Sequence, residues 1–208
     1  MGVYFYIKRI FDFIYALSGL IILMPIFLVI GTLIKLDSKG PIFFTQRRIG
    51  KDKNEFKMLK FRTMKSDAPH NVPTHLMKEP DKYITRVGKI LRKTSLDELP
   101  QFINILKGDM SFVGPRPALY NQDDLVNERE KYGVHRVLPG VTGWAQVNGR
   151  DTLPIPDKAI LDGEYIKQFG LWTDAKLLVK TVFAILKSEG VVEGGTGTLE
   201  SSHKDIKS

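Results

Sequence analysis

The chain has 208 residues, of which 43% are hydrophobic and 26% charged; these are ordinary values for a folded protein and exclude global disorder. It contains no cysteine, so disulfides, thiolate zinc sites and a cysteine nucleophile are excluded. A formal net charge of +8 favours an anionic partner, whether nucleic acid, an acidic membrane surface or a phosphorylated substrate, and the length fits one domain with or without a membrane anchor.

The first predicted element is a long apolar helix. Residues 13–34 include no charged side chain, and about 20 apolar residues are enough for a helix to enter a bilayer core. The apolar stretch is too long for a secretory signal, and no small-residue cleavage site follows it. The segment therefore predicts a membrane helix, with a buried core helix as the alternative.

Pro25 lies in the middle of this segment, where its missing amide predicts a break in the helix. Lys8 and Arg9 precede the segment, and four basic residues follow it between positions 35 and 48. Positive charge marks the cytoplasmic side of a membrane segment, and here both ends carry it. A re-entrant helix broken at Pro25 satisfies both ends, whereas a kinked spanning helix leaves one basic end outside.

Residues 41–64 predict a β-hairpin, with turn-forming residues at 51–54. Lys60 and Arg62 lie two positions apart on its second arm and should share one face of the strand. That face is either solvated or able to bind an anion. Residues 66–81 carry three prolines and predict a loop.

Helical patterns follow over five stretches, namely residues 83–93, 98–107, 119–132, 157–169 and 173–187. The second stops at Gly108, a residue favoured just past a helix end, and residues 139–150 predict a glycine-punctuated loop. The last helix has an apolar stripe that either packs on the core or lies at a membrane interface. The predicted fold class is therefore α+β, mainly helical, with a loose tail from Gly190.

The stretch Ser95-Leu96-Asp97-Glu98-Leu99-Pro100 carries the most chemistry. One interpretation is a capping box, in which Ser95 caps a helix and Glu98 reaches back. That register needs an amide from Pro100, whereas a helix capped by Asp97 has Pro100 in its first turn, where none is required. In either register the Asp97 carboxylate lies at the positive end of a helix dipole, which favours its ionised form and attracts phosphate.

Basic residues flank this stretch along the chain. Arg92 lies just upstream, and Pro115-Arg116-Pro117 lies downstream. The two prolines limit the backbone around Arg116, and an arginine held in this way can grip a phosphate with a bidentate fork. The plainer interpretation of the triplet is a rigid surface turn.

Four motifs carry a resemblance when they are taken together and in order: Lys60-Phe61-Arg62-Thr63-Met64, then residues 95–101, 107–117 and 139–150. In these motifs the chain resembles the monotopic phosphoglycosyl transferases, also called bacterial sugar transferases. The resemblance runs from Lys8-Arg9-Ile10-Phe11-Asp12 to the last predicted helix and leaves out little more than the tail.

The resemblance implies an enzyme that moves a sugar 1-phosphate from a UDP-sugar to polyprenol (undecaprenyl) phosphate, releases UMP, and so initiates glycoconjugate or exopolysaccharide assembly. Asp97 would be the nucleophile that forms an aspartyl phosphosugar intermediate, and Glu98 would act as a base or position a metal. Mg²⁺ is expected, held by Asp97 and the diphosphate. Four basic residues would bind the phosphate groups: Arg116, Lys60, Arg92 and Arg62.

The resemblance also implies a location. Family members have a re-entrant helix broken at a Ser-Pro pair, and here the pair is Met24-Pro25, which keeps the proline but not the serine hydroxyl. The expected organisation is a re-entrant membrane helix over residues 1–36, a catalytic domain over 37–190 at the cytoplasmic face of the bacterial inner membrane, and a flexible tail over 191–208. The UDP-sugar, the glycan pathway and the oligomeric state are left open.

Two other classes of function stay as alternatives: a membrane-anchored nucleic-acid-binding protein, and a scaffold in which Asp97 only caps a helix. The chain has no recognised nucleic-acid signature, and its aromatic residues are not interleaved with basic ones in a stacking pattern. Turnover of a UDP-sugar separates the enzyme from both.

Overall fold

The computed structural model describes residues 2–68, 80–149 and 153–187. The predicted tail, Arg150 and most of the predicted loop at 66–81 lie outside these residues. Over the described ranges the chain is α+β and mainly helical, as predicted. The helices are α1 Tyr4–Asp37, α2 Arg86–Lys93, α3 Gln101–Lys107, α4 Asp123–Glu130, α5 Trp144–Val147, α6 Ile155–Lys167 and α7 Leu171–Lys187; the strands are β1 Phe43–Ile49, β2 Glu55–Phe61, β3 Ser111–Val113 and β4 Gly140–Thr142.

The N-terminal helix α1 has 34 residues and passes through Pro25 without leaving the helical conformation. At about 1.5 Å per residue it is roughly 50 Å long. The proline removes one amide donor, but the helix continues through it, so the predicted interruption of the helix at Pro25 is wrong, whereas a re-entrant path of α1 stays a prediction. Of the described helices, α1 alone is long and apolar enough to cross a membrane, with a mean hydropathy of 2.6 in its apolar window.

Both halves of α1 pack on the same domain, and its middle does not. Ala16 is fully buried against residues of β2 and α3, while Ile34 packs with Phe61 and Leu91. Around Pro25 the large side chains are exposed, at 72% for Ile22 and 59% for Met24. The alternative of a buried core helix is therefore wrong.

The hairpin predicted at 41–64 is confirmed. Strand β1 pairs with β2 in antiparallel register from Phe43 opposite Phe61 to Ile49 opposite Glu55. The turn is a short 3₁₀ segment, Lys51–Lys53, in the predicted position. The buried amide of Asn104 closes the outer edge of β2, since it accepts from the Leu59 N–H at 2.9 Å and donates to the Lys57 carbonyl at 2.8 Å. These bonds fix α3 beside the middle of β2.

A second, parallel pair of strands, β3 and β4, was not predicted; β4 lies in the stretch predicted as a glycine-punctuated loop, and β3 lies shortly after α3. Each strand has three residues, too few to show an alternating pattern. The backbones approach so closely that a Cβ on Gly114 would lie 2.5 Å from the Leu138 carbonyl oxygen, and a Cβ on Gly140 would collide with the Gly114 amide. Glycine is required at both positions because of this approach.

The last helix, α7, meets the core along one narrow strip. Leu177 is buried, but Trp172 is 85% exposed, Phe183 60% and Val182 58%. Of the two predicted environments for this helix, the described side chains favour the membrane interface over packing on the core. The side chains of residues 185–187, part of the predicted stripe, lie outside the description.

Candidate active site

Asp97 and Glu98 lie in a 3₁₀ turn, Leu96–Glu98, that leads into α3. Ser95 enters the turn in the left-handed conformation, with φ 57°, and its carbonyl accepts the Glu98 N–H at 3.2 Å. Helix α3 begins only after Pro100, whose φ of −62° suits a helix start and whose missing amide is not needed there. The prediction that Asp97 or Ser95 caps this helix is therefore wrong, since neither side chain makes a capping bond.

The Lys60 ammonium, at the end of β2, lies between the two carboxylates. Its Nζ is 2.7 Å from Oε1 of Glu98 and 3.4 Å from Oδ2 of Asp97. The three side chains are mostly buried, with 17%, 17% and 10% of the side-chain surface exposed for Lys60, Glu98 and Asp97. Lys60, which was predicted to bind phosphate, thus lies against the dyad, and its contact with phosphate stays a prediction.

Arg116 reaches the same cluster from the other side. Its Nη2 donates to Oε1 of Glu98 at 3.1 Å, so one carboxylate oxygen accepts from both Lys60 and Arg116. The side chain keeps 37% of its surface exposed. Arg92, in the last turn of α2, is close enough to act electrostatically on Asp97. Three of the four predicted basic residues therefore surround the dyad.

The two carboxylates differ in their electrostatic balance. Burial raises the pKa of Asp97 above its ordinary value, with Glu98 adding to the rise and the Lys60 and Arg92 charges opposing it. Burial would also raise the pKa of Glu98, but the Lys60 ammonium and the Arg116 guanidinium outweigh it and hold that pKa well below its usual range. The cations thus favour the ionised form of Glu98, whereas burial works against the ionised form of Asp97, contrary to the expectation from the sequence.

Arg62, the fourth predicted basic residue, binds the end of α1. Its guanidinium donates to the carbonyls of Ser38 at 2.7 Å, Lys39 at 2.6 Å and Ile34 at 3.4 Å, and it is 5% exposed. Ile34 lies in the last turn of α1, and Ser38 and Lys39 directly follow the helix, so the guanidinium binds the backbone where α1 ends. Arg62 therefore braces the C-terminal end of α1, and the described contacts do not bring it to the dyad.

A second arginine, on α1, binds the C-terminal end of α3. Arg9, on α1, donates to the carbonyls of Ile105 at 2.5 Å and Leu106 at 2.9 Å, at the C-terminal end of the helix that the dyad precedes. Gly108 follows with φ 95°, which confirms the predicted helix end. Helix α1 thus binds the helix that directly follows the dyad.

Sequence reasoning missed Arg129, which is 3% exposed and donates from Nη1 to the Arg116 carbonyl at 2.8 Å. An arginine in a helix with four acidic residues looks solvated in the sequence, and no local signal marks it as buried. Arg48, on β1, donates to the Pro117 carbonyl at 2.9 Å. The Pro115-Arg116-Pro117 turn is therefore held by two arginines and is not a plain surface turn.

The donor set of the dyad is compatible with a magnesium ion. In the described parts of the chain no cluster of three or more His, Cys, Asp or Glu side chains could hold a metal. Mg²⁺ commonly takes one or two protein carboxylates and completes its shell with water and substrate phosphates. The adjacent oxygens of Asp97 and Glu98 fit this mode and do not form an all-protein cage.

Comparison with known proteins gives a consistent set of relatives. The chain matches the model of a family described as bacterial sugar transferase over residues 3–188. It is 43% identical, over 88% of its length, to a UDP-glucose:undecaprenyl-phosphate glucose-1-phosphate transferase of Escherichia coli K12, and spans 40% of that protein. It is 39% identical to a UDP-N-acetylgalactosamine-undecaprenyl-phosphate N-acetylgalactosaminephosphotransferase of Aeromonas hydrophila, covering 90% of this chain and 45% of that one.

A relative of similar size matches almost from end to end. The sugar transferase EpsL of Bacillus subtilis strain 168, itself uncharacterised, is 39% identical over 93% of this chain and 94% of its own length. The longer relatives are thus matched over less than half of their length, and the shorter one over nearly all of it.

Proposed function

The chain belongs to the bacterial sugar transferase family, and we propose that it transfers a sugar 1-phosphate from a UDP-sugar to undecaprenyl phosphate at the membrane surface. Relatives that are 39–43% identical carry this activity in their names, for glucose and for N-acetylgalactosamine. The chain spans about two-fifths of those proteins, so the activity of the whole relative is extended to it as a proposal.

The observation that carries the proposal is the surroundings of Asp97. A buried carboxylate lies beside a second one, with the cations of Lys60, Arg92 and Arg116 at the same place. Cations fixed around a nucleophile stabilise the charge that develops on phosphate oxygens in the transition state. Capping does not explain why these cations surround Asp97, because Asp97 makes no capping bond to α3.

In the first displacement a carboxylate oxygen of Asp97 attacks the phosphorus bonded to the sugar. The new bond joins Asp97 to that phosphorus, the bond to the bridging oxygen breaks, and UMP leaves with that oxygen and the electron pair. The charges of Lys60, Arg92 and Arg116 offset the charge of the diphosphate. Covalent catalysis replaces one difficult transfer by two easier displacements, which is its usual advantage.

In the second displacement a phosphate oxygen of undecaprenyl phosphate attacks the same phosphorus and restores the Asp97 carboxylate. The product is a polyprenol diphosphosugar. The exposed apolar surface around Pro25 on α1, which packs at both ends on the catalytic domain, supports a membrane-inserted helix that returns to the cytoplasmic face. A lipid acceptor can then reach the dyad without leaving the bilayer.

Bound at Asp97 and the diphosphate, Mg²⁺ would neutralise phosphate charge. Glu98 is kept ionised by Lys60 and Arg116, so it serves to hold these cations, and the ion, next to Asp97. We expect a proton-transfer role for Glu98 to be minor because its pKa lies below its ordinary value.

The direct test is release of UMP from a panel of UDP-sugars in the presence of undecaprenyl phosphate, with and without exhaustive EDTA. We expect one or a few UDP-sugars to turn over, and Asp97→Asn and Arg116→Ala to lose most of the activity. Asp123→Asn, which removes an exposed carboxylate from α4, is the matched control and should retain it. Full activity of both active-site variants would overturn the assignment, and full activity in EDTA would remove Mg²⁺.

The covalent intermediate has its own test. Incubation with a UDP-sugar labelled in its sugar-bound phosphate, without acceptor, should leave label on the denatured protein, and hydroxylamine should release it as expected for an acyl phosphate. Asp97→Asn should carry no label. Turnover without any labelled protein would favour a direct transfer between the two substrates.

A further inference from the structure

A buried ion pair between two helices holds the backbone of Arg116. Arg129, on α4, places Nε 2.8 Å and Nη2 2.6 Å from Oδ2 of Asp162, on α6. The remaining nitrogen, Nη1, donates to the Arg116 carbonyl at 2.8 Å. The side chains of Arg129 and Asp162 are 4% and 0% exposed, so the whole contact is shielded from water.

Stability is a weak reason for such a pair. Two charges removed from water lose hydration free energy that their attraction barely recovers, and apolar residues of similar size often stabilise a protein as well. Arginine suits this position because its rigid fork can bind one carboxylate and one carbonyl at once, whereas a lysine offers a single point charge. The geometry therefore favours a role in orienting the backbone at Arg116.

The local backbone around Arg116 is already restricted by its sequence. What the tertiary contacts must still fix is the orientation of the whole Pro115-Arg116-Pro117 turn relative to the dyad. Prolines on both sides limit φ, and a residue before proline is confined to extended conformations. Arg48 holds the Pro117 carbonyl at 2.9 Å, and Arg129 holds the Arg116 carbonyl one residue earlier. Two fixed carbonyls set the orientation of the rigid turn, and with it the direction of the Arg116 side chain toward Glu98.

We propose that Arg129 and Asp162 are positioning residues that aim the Arg116 guanidinium at the dyad and at the phosphate bound there. This inference rests on the proposed function for the identity of the phosphate. A linked path then runs from α6 to the dyad through Asp162, Arg129, Arg116 and Glu98. Displacement of a catalytic group by about 1 Å can lower a rate roughly a hundredfold, so the alignment matters for turnover.

The test is a double-mutant cycle. Arg129→Met with Asp162→Leu removes both charges together, so that neither is left buried alone, and kcat and KM for the UDP-sugar are measured with Arg116 present and in the Arg116→Ala background. We expect a loss in kcat/KM of roughly tenfold to a hundredfold with Arg116 present, and less than about twofold in the Arg116→Ala background, because residues that act through one another are non-additive. Equal losses in both backgrounds would overturn the proposal.

A matched control separates positioning from general destabilisation. Lys8 and Asp174 form another well-buried ion pair, at side-chain exposures of 10% and 8%, and neither contacts Arg116. Lys8→Met with Asp174→Asn should lower Tm, and any loss of activity should be the same in both Arg116 backgrounds. If Arg129→Met with Asp162→Leu does not fold, Arg129→Lys serves in its place, with a smaller loss of the same kind.

A final arm does not depend on turnover. The chain has no cysteine, so Ala118→Cys, at a position 2% exposed just after the turn, gives one site for maleimide. We expect labelling to accelerate at least about fivefold when Arg129 and Asp162 are replaced, and to stay unchanged when Lys8 and Asp174 are. Unchanged labelling in both would overturn the positioning role. Faster labelling after replacement of Arg129 and Asp162, in a protein that turns over no UDP-sugar, would support the positioning role and refute only the proposed function.

Discussion

Lys60 lies closer to Glu98 than to Asp97, at 2.7 Å against 3.4 Å, although the two carboxylates are adjacent in the chain. Glu98 also takes the Arg116 contact, so the strongest ionic bonds of the site go to the residue that is not the proposed nucleophile. A nucleophile needs an oxygen with electron density to donate, and a tight ion pair reduces it. The geometry thus gives the closer cation contacts to Glu98 and leaves Asp97, the proposed nucleophile, less tightly paired.

Replacement of Lys60 tests this division. Lys60→Met should lower kcat by about 10² to 10³, the usual effect of removing one fixed electrostatic stabiliser. Lys57→Met, on the same strand with an exposed side chain, is the control and should stay within about twofold. UMP release measures both, and an unchanged kcat in Lys60→Met would place the lysine outside the reaction.

Arg62 gives the opposite expectation, because its guanidinium braces the C-terminal end of α1. Arg62→Lys leaves at least one buried carbonyl without a donor, which should lower the free energy of unfolding by about 1–3 kcal/mol. The folded enzyme should keep kcat/KM within about threefold. Arg47→Lys, an exposed arginine of the same hairpin paired with Glu55, should change neither quantity measurably. A rise in KM without loss of Tm would instead support the substrate contact predicted from the sequence.

Residues 60 and 62 show how far sequence reasoning reaches. The alternation of a strand correctly places both side chains near the end of the hairpin, and the motif match selects both as basic positions. What separates them is the tertiary neighbour: Lys60 meets the 3₁₀ turn of the dyad, and Arg62 meets the end of α1. No local pattern encodes which neighbour each one meets.

The same limit explains the other differences. The long helices, the hairpin and the end of α3 at Gly108 follow from period, turn residues and capping, and the structure has them within a few residues. The three-residue strands β3 and β4 carry too few residues for a period, so only their contacts define them. Ile90 lies in α2 beside the buried Leu91 yet is 63% exposed, because α2 packs through Val87 and Leu91.

Gly114 tests the close approach of β3 and β4. Gly114→Ala places a Cβ 2.5 Å from the Leu138 carbonyl oxygen, so the strands must separate. We expect a loss of about 1–3 kcal/mol in unfolding free energy and reduced kcat, since Arg116 follows two residues later. Gly170→Ala, whose Cβ would have its nearest neighbour at 3.8 Å, should stay within about 0.5 kcal/mol. Equal stability of the two variants would show that the strands can part at no cost.

His135 should make stability depend on pH. Burial lowers its pKa below the ordinary value, with the nearby Arg129 charge adding to this and the Val126 carbonyl, at 3.2 Å from Nε2, opposing it. A lowered pKa means that the unfolded chain binds a proton more readily, so this contribution is present above about pH 6.5 and is lost as the pH falls below it. The stability lost between pH 7.5 and 5.5 should therefore be smaller in His135→Gln than in the parent, as measured by Tm at each pH. An identical pH dependence in both proteins would contradict the assignment.

The outer face of α7 should lie in the lipid headgroup region. Its exposed apolar residues recur at helical spacing, from Trp172 and Ala175 to Val179, Val182 and Phe183, and Lys176 and Lys180 lie on one flank, between that face and the buried Leu177. Lysines beside an apolar face can extend their ammonium groups to lipid phosphates, and each adds about 1 kcal/mol of attraction to an anionic surface. In vesicles containing brominated lipids the fluorescence of Trp172 should be strongly quenched, and the quenched part should disappear in Trp172→Phe, which leaves Trp144 as the remaining tryptophan. Quenching that increases as bromine is moved toward the headgroup would place α7 at the interface, whereas a Trp172 signal insensitive to brominated lipid would leave α1 as the one membrane contact among the described helices.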